Sequence, residues 1–142
     1  MKLKDQRILL NSNVLSVITV FLVFCSCQNN PPPYQTGLAS FYSDSFEGSL
    51  TANGEIFTNS KMTAAHRTLP FGTKVRVTNL NNGKAVVVRV TDRGPYVEGR
   101  ILDVARVVAT ELEFVDDGLT EVRLDVLDEA GQIRYPAGDR IE

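Results

Sequence analysis

Three short segments of this 142-residue chain set ionisable or polar side chains beside Gly or Pro turns. They are Thr51-Ala-Asn-Gly-Glu55, Thr63-Ala-Ala-His-Arg-Thr-Leu-Pro-Phe-Gly-Thr73 and Thr91-Asp-Arg-Gly-Pro95. Loops of this kind hold functional groups against a rigid frame. Asp92 follows the most apolar strand in the chain, Ala85–Thr91. A carboxyl at the end of a buried strand is partly desolvated, and burial favours the protonated acid that can protonate a leaving oxygen. Arg93 beside it either opposes this or binds a substrate oxygen. Asn53-Gly54 forms a tight turn that presents Glu55 outward. Two carboxylates from separate loops facing one cleft are the usual equipment for cleaving a glycosidic bond: one protonates the departing oxygen and the other stabilises charge on the sugar ring. Taken singly, Asp92 also fits a turn residue and Glu55 a surface charge.

His66 is the only histidine, and it fits a hydrogen-bonded core residue as well as a catalytic one. Cys25 and Cys27 are the only cysteines, so the folded part offers no thiolate, and one histidine alone rarely recruits zinc. No metal or other cofactor is expected. Tyr42, Phe46 and Phe57 suit either stacking on sugar faces or the core.

The elements that must position these residues read mainly as strands. Lys74–Thr78 alternates with period two, and Thr120–Leu127 does so again with Val122, Leu124 and Val126 on one face and Arg123 and Asp125 on the other. Leu38–Tyr42 is a short strand. Ala85–Thr91 is β-branched and nearly all apolar, as a buried strand should be. Asn79–Gly83 is turn chemistry between Lys74–Thr78 and Ala85–Thr91, with Asn82-Gly83 suited to a tight hairpin, and Gln132–Tyr135 suits a last short strand. One helix is predicted over Val104–Leu112, capped by Asp103. Short strands, one helix and frequent Gly/Asn turns indicate a small closed barrel.

Towards the amino terminus, Lys2, Lys4 and Arg7 precede an apolar run interrupted by Asn11, Ser12 and Asn13. The unbroken part, Val14–Phe24, falls short of the roughly 20 residues that span a bilayer and fits a signal peptide over residues 1–26; a single-pass anchor over Ile8–Phe24 is the alternative. Ser26-Cys27 supplies the small residue and cysteine of a loose lipobox. Cys27 would be lipidated, since several acyl chains anchor durably; a local Cys25–Cys27 bridge is the bland alternative. Residues 27–36, with Pro31, Pro32 and Pro33, form an extended linker. The folded domain covers residues 37–130, and a C-terminal extension covers residues 131–142. Beyond residue 26 there remain 12 basic and 16 acidic residues, no charge for a nucleic-acid partner.

Gly37-Leu-Ala-Ser-Phe-Tyr42, Thr51-Ala-Asn-Gly-Glu55, Thr63-Ala-Ala-His66, Thr68-Leu-Pro-Phe-Gly-Thr73, Asp92-Arg-Gly-Pro95 and Arg100-Ile-Leu-Asp103 occur in the order and spacing of the rare lipoprotein A family. The chain resembles these septal-ring lytic transglycosylases from about Gly37 to Leu127. The resemblance implies a mainly β fold, a six-stranded double-psi β-barrel with one short helix, related to expansins and family 45 glycosidases. It implies cleavage of the β-1,4 bond between N-acetylmuramic acid and N-acetylglucosamine in peptide-poor glycan strands, leaving 1,6-anhydro ends. Carried over by motif, Asp92 is general acid and then base, Glu55 stabilises charge or positions the sugar, and His66 lies nearby; Tyr42, Asn53, Thr58 and Arg93 are candidate substrate binders. Thr58 stands where the family usually has Asp. That departure leaves a second reading, a non-catalytic, expansin-like glycan-binding barrel. The expected setting is the periplasmic face of the cell envelope, lipid-anchored at the outer membrane and monomeric. The family's separate wall-binding repeat is not expected.

Overall fold

A computed structural model describes residues 34–134. The leader, Cys27 and most of the proline linker lie outside the described residues, as does the end of the C-terminal extension. Six strands close into a barrel: β1 (Gln35–Phe41), β2 (Thr63–Ala65), β3 (Lys74–Asn79), β4 (Ala85–Asp92), β5 (Arg100–Val104) and β6 (Thr120–Leu127), in the order β1-β5-β2-β4-β3-β6. The β1–β5 and β2–β4 pairs are parallel, the others antiparallel. Two parallel pairs within a closed sheet require long crossovers. The β1–β2 and β4–β5 connections follow the two parallel-paired strands that carry Tyr42 and Asp92, and these connections carry the loops of interest.

The alternation read in the sequence sets the barrel interior. Val75 and Val77 of β3, Val88 and Val90 of β4, Leu102 and Val104 of β5, and Val122 and Leu124 of β6 are fully buried with Phe114 and Leu69. Folded structure begins earlier than Gly37: Tyr34 is buried and β1 starts at Gln35, because Tyr34 N–H and the strand that follows pair with β6. β4 is not buried throughout. Val87 is 42% exposed, since this half of β4 pairs only with β3 and extends past the barrel wall. Asp125, read as outward, is buried and held by Arg123 on its own strand.

Three expectations for the connections change. The β3–β4 ladder ends at Thr78–Ala85, so the turn is wider than Asn82-Gly83 alone. Asn79 and Asn82 each donate a side-chain N–H to the Leu112 carbonyl at 2.9 Å, tying this turn to the helix end. Helix α1 is shorter than expected, Arg106–Glu111. Asp103 does not cap it, because Asp103 and Val104 are taken into the β5 ladder between β1 and β2. Asn59 caps it from the β1–β2 connection instead, its side-chain oxygen accepting from Arg106 N–H at 2.9 Å and its carbonyl from Val107 N–H at 3.0 Å. The strand expected at Gln132–Tyr135 is a single bridge, Leu127 to Ile133, among the described residues.

Candidate active site

Asp92 ends β4, and both its carboxylate oxygens accept hydrogen bonds. Oδ1 takes the backbone N–H groups of Ala52 and Arg93, each at 2.9 Å, and Oδ2 takes the Tyr42 hydroxyl at 2.7 Å. The carboxylate therefore sits where the β1–β2 connection meets the β4–β5 loop. Tyr42 follows β1 and is wedged by Phe57, whose ring centroid is 4.3 Å away, and by Phe46 at 5.5 Å. Phe57 is core and Phe46 half exposed. Burial, then the Asp92 carboxylate, pushes the Tyr42 phenol well above its ordinary range, so it stays an O–H donor that orients Asp92.

Glu55 lies on a small hairpin closed by the Leu50–Ile56 bridge and by Thr51 N–H donating to the Glu55 carbonyl at 2.8 Å. Gly54 turns this hairpin at φ +87°, a left-handed conformation that costs a glycine little. Asn53 is not free for a ligand through its oxygen, which accepts from the Thr51 hydroxyl and from Glu55 N–H. The Glu55 carboxylate is gripped by Arg89 of β4 through two bonds of 2.8 Å. That hydrogen bonding holds its carboxyl below the usual range, which keeps Glu55 ionised at neutral pH. Arg89 and Asp92 both lie on β4, three residues apart, so one strand carries both the anchor of Glu55 and the Asp92 carboxylate.

His66 N–H donates to the Asp92 carbonyl at 3.1 Å, while its side chain is turned into a buried site. Its ring is 1% exposed. Nδ1 accepts the N–H groups of Thr68 and Leu69 at 3.1 and 3.0 Å, so the proton is on Nε2, which donates to Gln35 Oε1 at 2.9 Å. Burial, aided by Arg93 and Arg67, lowers its pKa to about 4. A neutral ring with both nitrogens engaged pins the β2–β3 loop. Arg93 is committed to the same loop: its guanidinium donates to the carbonyls of His66 and Leu69 and lies 3.9 Å from the Phe71 ring centroid. Thr58 bonds the Ser60 hydroxyl at 2.9 Å. It also bonds the Glu47 carboxylate, which accepts Asn59 N–H at 2.8 Å, so an acidic group still stands beside position 58.

Sequence reasoning missed Asp103. Ala65 pairs in register with Asp92 on one side and with Asp103 on the other. Two carboxylate-bearing positions thus flank one strand, about 10 Å apart, over a methyl floor. Asp103 accepts from the Ser40 hydroxyl and from Arg100, and its charge acts on Tyr42 together with that of Asp92. The signal was present in Arg100-Ile-Leu-Asp103, but a strand of only five residues shows too little periodicity to be read. Among the described residues no three His, Cys, Asp or Glu side chains converge in a way that could hold a metal ion.

A closed six-stranded barrel with two parallel pairs, carrying a hydrogen-bonded carboxylate centre at its crossover loops, defines the double-psi β-barrel class. The family model described as lytic transglycolase matches residues 34–124, and the chain belongs to that family. It is 47% identical over 104 residues to the probable endolytic peptidoglycan transglycosylase RlpA of Treponema pallidum, covering 73% of this chain and 33% of that protein. It is 46% identical over 91 residues to the endolytic peptidoglycan transglycosylase RlpA of Campylobacter jejuni, covering 64% and 33%. The chain thus spans about a third of the length of these curated relatives. Among solved structures, apo Clavibacter michiganensis expansin matches at TM-score 0.52 and 22% identity, over 73% of this chain and 52% of that one. The Streptomyces papain inhibitor matches at 0.50 and 22%, over 67% and 98%. These two likenesses concern the fold.

Proposed function

We propose that the chain is a lytic transglycosylase that cuts the β-1,4 bond between N-acetylmuramic acid and N-acetylglucosamine in peptide-poor glycan strands. The observation that carries this reading is Asp92, oriented by Tyr42 and two backbone N–H groups at the junction of two loops. Membership of the family and the activity named for the relatives support it. In the proposed step the muramic 6-hydroxyl oxygen bonds to its own anomeric carbon as the bond to the glucosamine O4 breaks. For this Asp92 must enter the step as the carboxylic acid: it gives its proton to O4 and takes the one released by the 6-hydroxyl, so it ends protonated as it began and no water is consumed. Positive charge on the sugar ring is met by ionised Glu55, which Arg89 holds in place, and by Asp103 across Ala65. His66 and Arg93 act at a distance, by fixing the loop beside Asp92.

Incubating the protein with peptide-free glycan strands and analysing products by mass spectrometry tests this. Anhydro-ended fragments are expected. Reducing ends would mean hydrolysis instead, and no fragments at all would overturn the enzyme reading in favour of a binding barrel. The bidentate hold of Arg89 on Glu55 is the observation that favours that second reading.

For the address, the proposal is a monomer on the periplasmic face of the outer membrane, held by acyl groups on Cys27. Its support is the basic start, the apolar run and Ser26-Cys27. Cys27→Ser should move the protein from the membrane to the soluble fraction on cell fractionation.

A further inference from the structure

On the two segments whose backbone N–H groups bond the Asp92 carboxylate, the protein presents apolar side chains that its own core leaves uncovered. Tyr96 is 77% exposed on the β4–β5 loop, with Val97 beside it; Leu50 and Ile56, paired across the hairpin, are 72% and 57% exposed. Single apolar residues are common on surfaces, but a group of them around a polar centre marks a contact surface. Both segments converge on the same atom, since Asp92 Oδ1 accepts one N–H from Ala52 of the hairpin and one from Arg93 of the loop. Tyr96 is four residues beyond Asp92, so its Cα lies within about 14 Å of it by chain length. The ring is not on a slack loop. Arg67 reaches under this segment and donates to the carbonyls of Pro95, Val97 and Arg100, which fixes the backbone on both sides of Tyr96.

The geometry points to Tyr96 as a stacking platform for a sugar ring next to the reacting bond, with the Leu50–Ile56 pair as an apolar ledge for the sugar on the other side of Asp92. This rests on the reading of the substrate as a glycan strand. A sugar ring offers an apolar C–H face and a rim of hydroxyls, so it can cover an aromatic face while its rim stays hydrated, and the phenol can bond an oxygen of that rim. The occupant that covers both platforms is a strand of several sugars running across Asp92, because the platforms stand on separate segments that meet at that carboxylate.

The test measures binding of full-length protein carrying Asp92→Asn, which leaves strands uncut, to peptide-free glycan strands. Tyr96→Ala in that background should bind about tenfold more weakly, while Tyr96→Trp and Tyr96→Phe stay within about twofold. The Leu50→Ser/Ile56→Ser pair should weaken binding similarly with an unchanged melting temperature, since both side chains are exposed. Parental binding by Tyr96→Ala would overturn the platform and leave the cutting reading intact. Tyr96-dependent binding by a chain that, with Asp92 restored, releases no fragments would uphold the platform and overturn the transglycosylase. No binding by the Asp92→Asn protein at millimolar sugar would overturn the platform whatever the cleavage result.

Discussion

Asp92→Asn should lower the rate of glycan cleavage by about a thousandfold, within the range a positioned acid–base group contributes, while the barrel stays folded. The isosteric amide separates chemistry from architecture at this position. Its oxygen can still take the N–H groups of Ala52 and Arg93, and its NH2 can face the Tyr42 hydroxyl, which turns to accept. The melting temperature should therefore shift by less than about 4 °C, the equivalent of some 1 kcal/mol for a domain of this size. Rates of anhydro-end formation and thermal melts on the same preparation check both halves. A variant cutting at the parental rate would remove Asp92 from the mechanism.

The largest effect on stability is expected at His66. His66→Ala leaves the buried Leu69 N–H and the half-buried Thr68 N–H without their acceptor and Gln35 without its donor. A loss of about 3 kcal/mol follows from uncompensated buried donors. His66→Asn should recover part of it, because its side-chain oxygen can stand where Nδ1 stood. The same residue makes the fold sensitive to acid. Its folded pKa, about 4, lies below the ordinary 6.5, so protons favour the unfolded chain. The stabilisation from a neutral ring is complete above pH 6.5 and is lost as pH falls from there to 4, up to about 3 kcal/mol. Urea unfolding at pH 7.5 and pH 4.5 should show a drop in the parent that is smaller in His66→Asn. Equal stability of His66→Ala and parent at pH 7.5 would refute this assignment. So would loss of cleavage in a fully folded His66→Asn protein, because that would return the imidazole to the chemistry.

These two residues illustrate what could be read before any coordinates. Asp92 at the end of an apolar strand and Glu55 after Asn-Gly were legible because both features are local: a strand that ends and a turn that follows. The alternation in β3 and β6 likewise predicted which residues fill the barrel, since period two is a property of consecutive residues. The helix cap, by contrast, went to the wrong residue. A capping preference for Asp103 competes with a β5 ladder between β1 and β2, and long-range pairing won, leaving Asn59, some 47 positions away, as the cap.

What the chain determined by itself was a small β-barrel, its inward face and the carboxylates worth testing, because side-chain type and spacing act over a few residues. Tertiary structure alone decided the partners. It turned His66 inward to pin a loop, gave Arg89 to Glu55, Tyr42 to Asp92 and Arg93 to the carbonyls of its neighbour loop, and brought Asp103 across Ala65 from Asp92. The physical reason is that each of these groups is a donor, an acceptor or a charge with many possible partners in sequence. Closing the barrel leaves only a few of them within hydrogen-bonding reach.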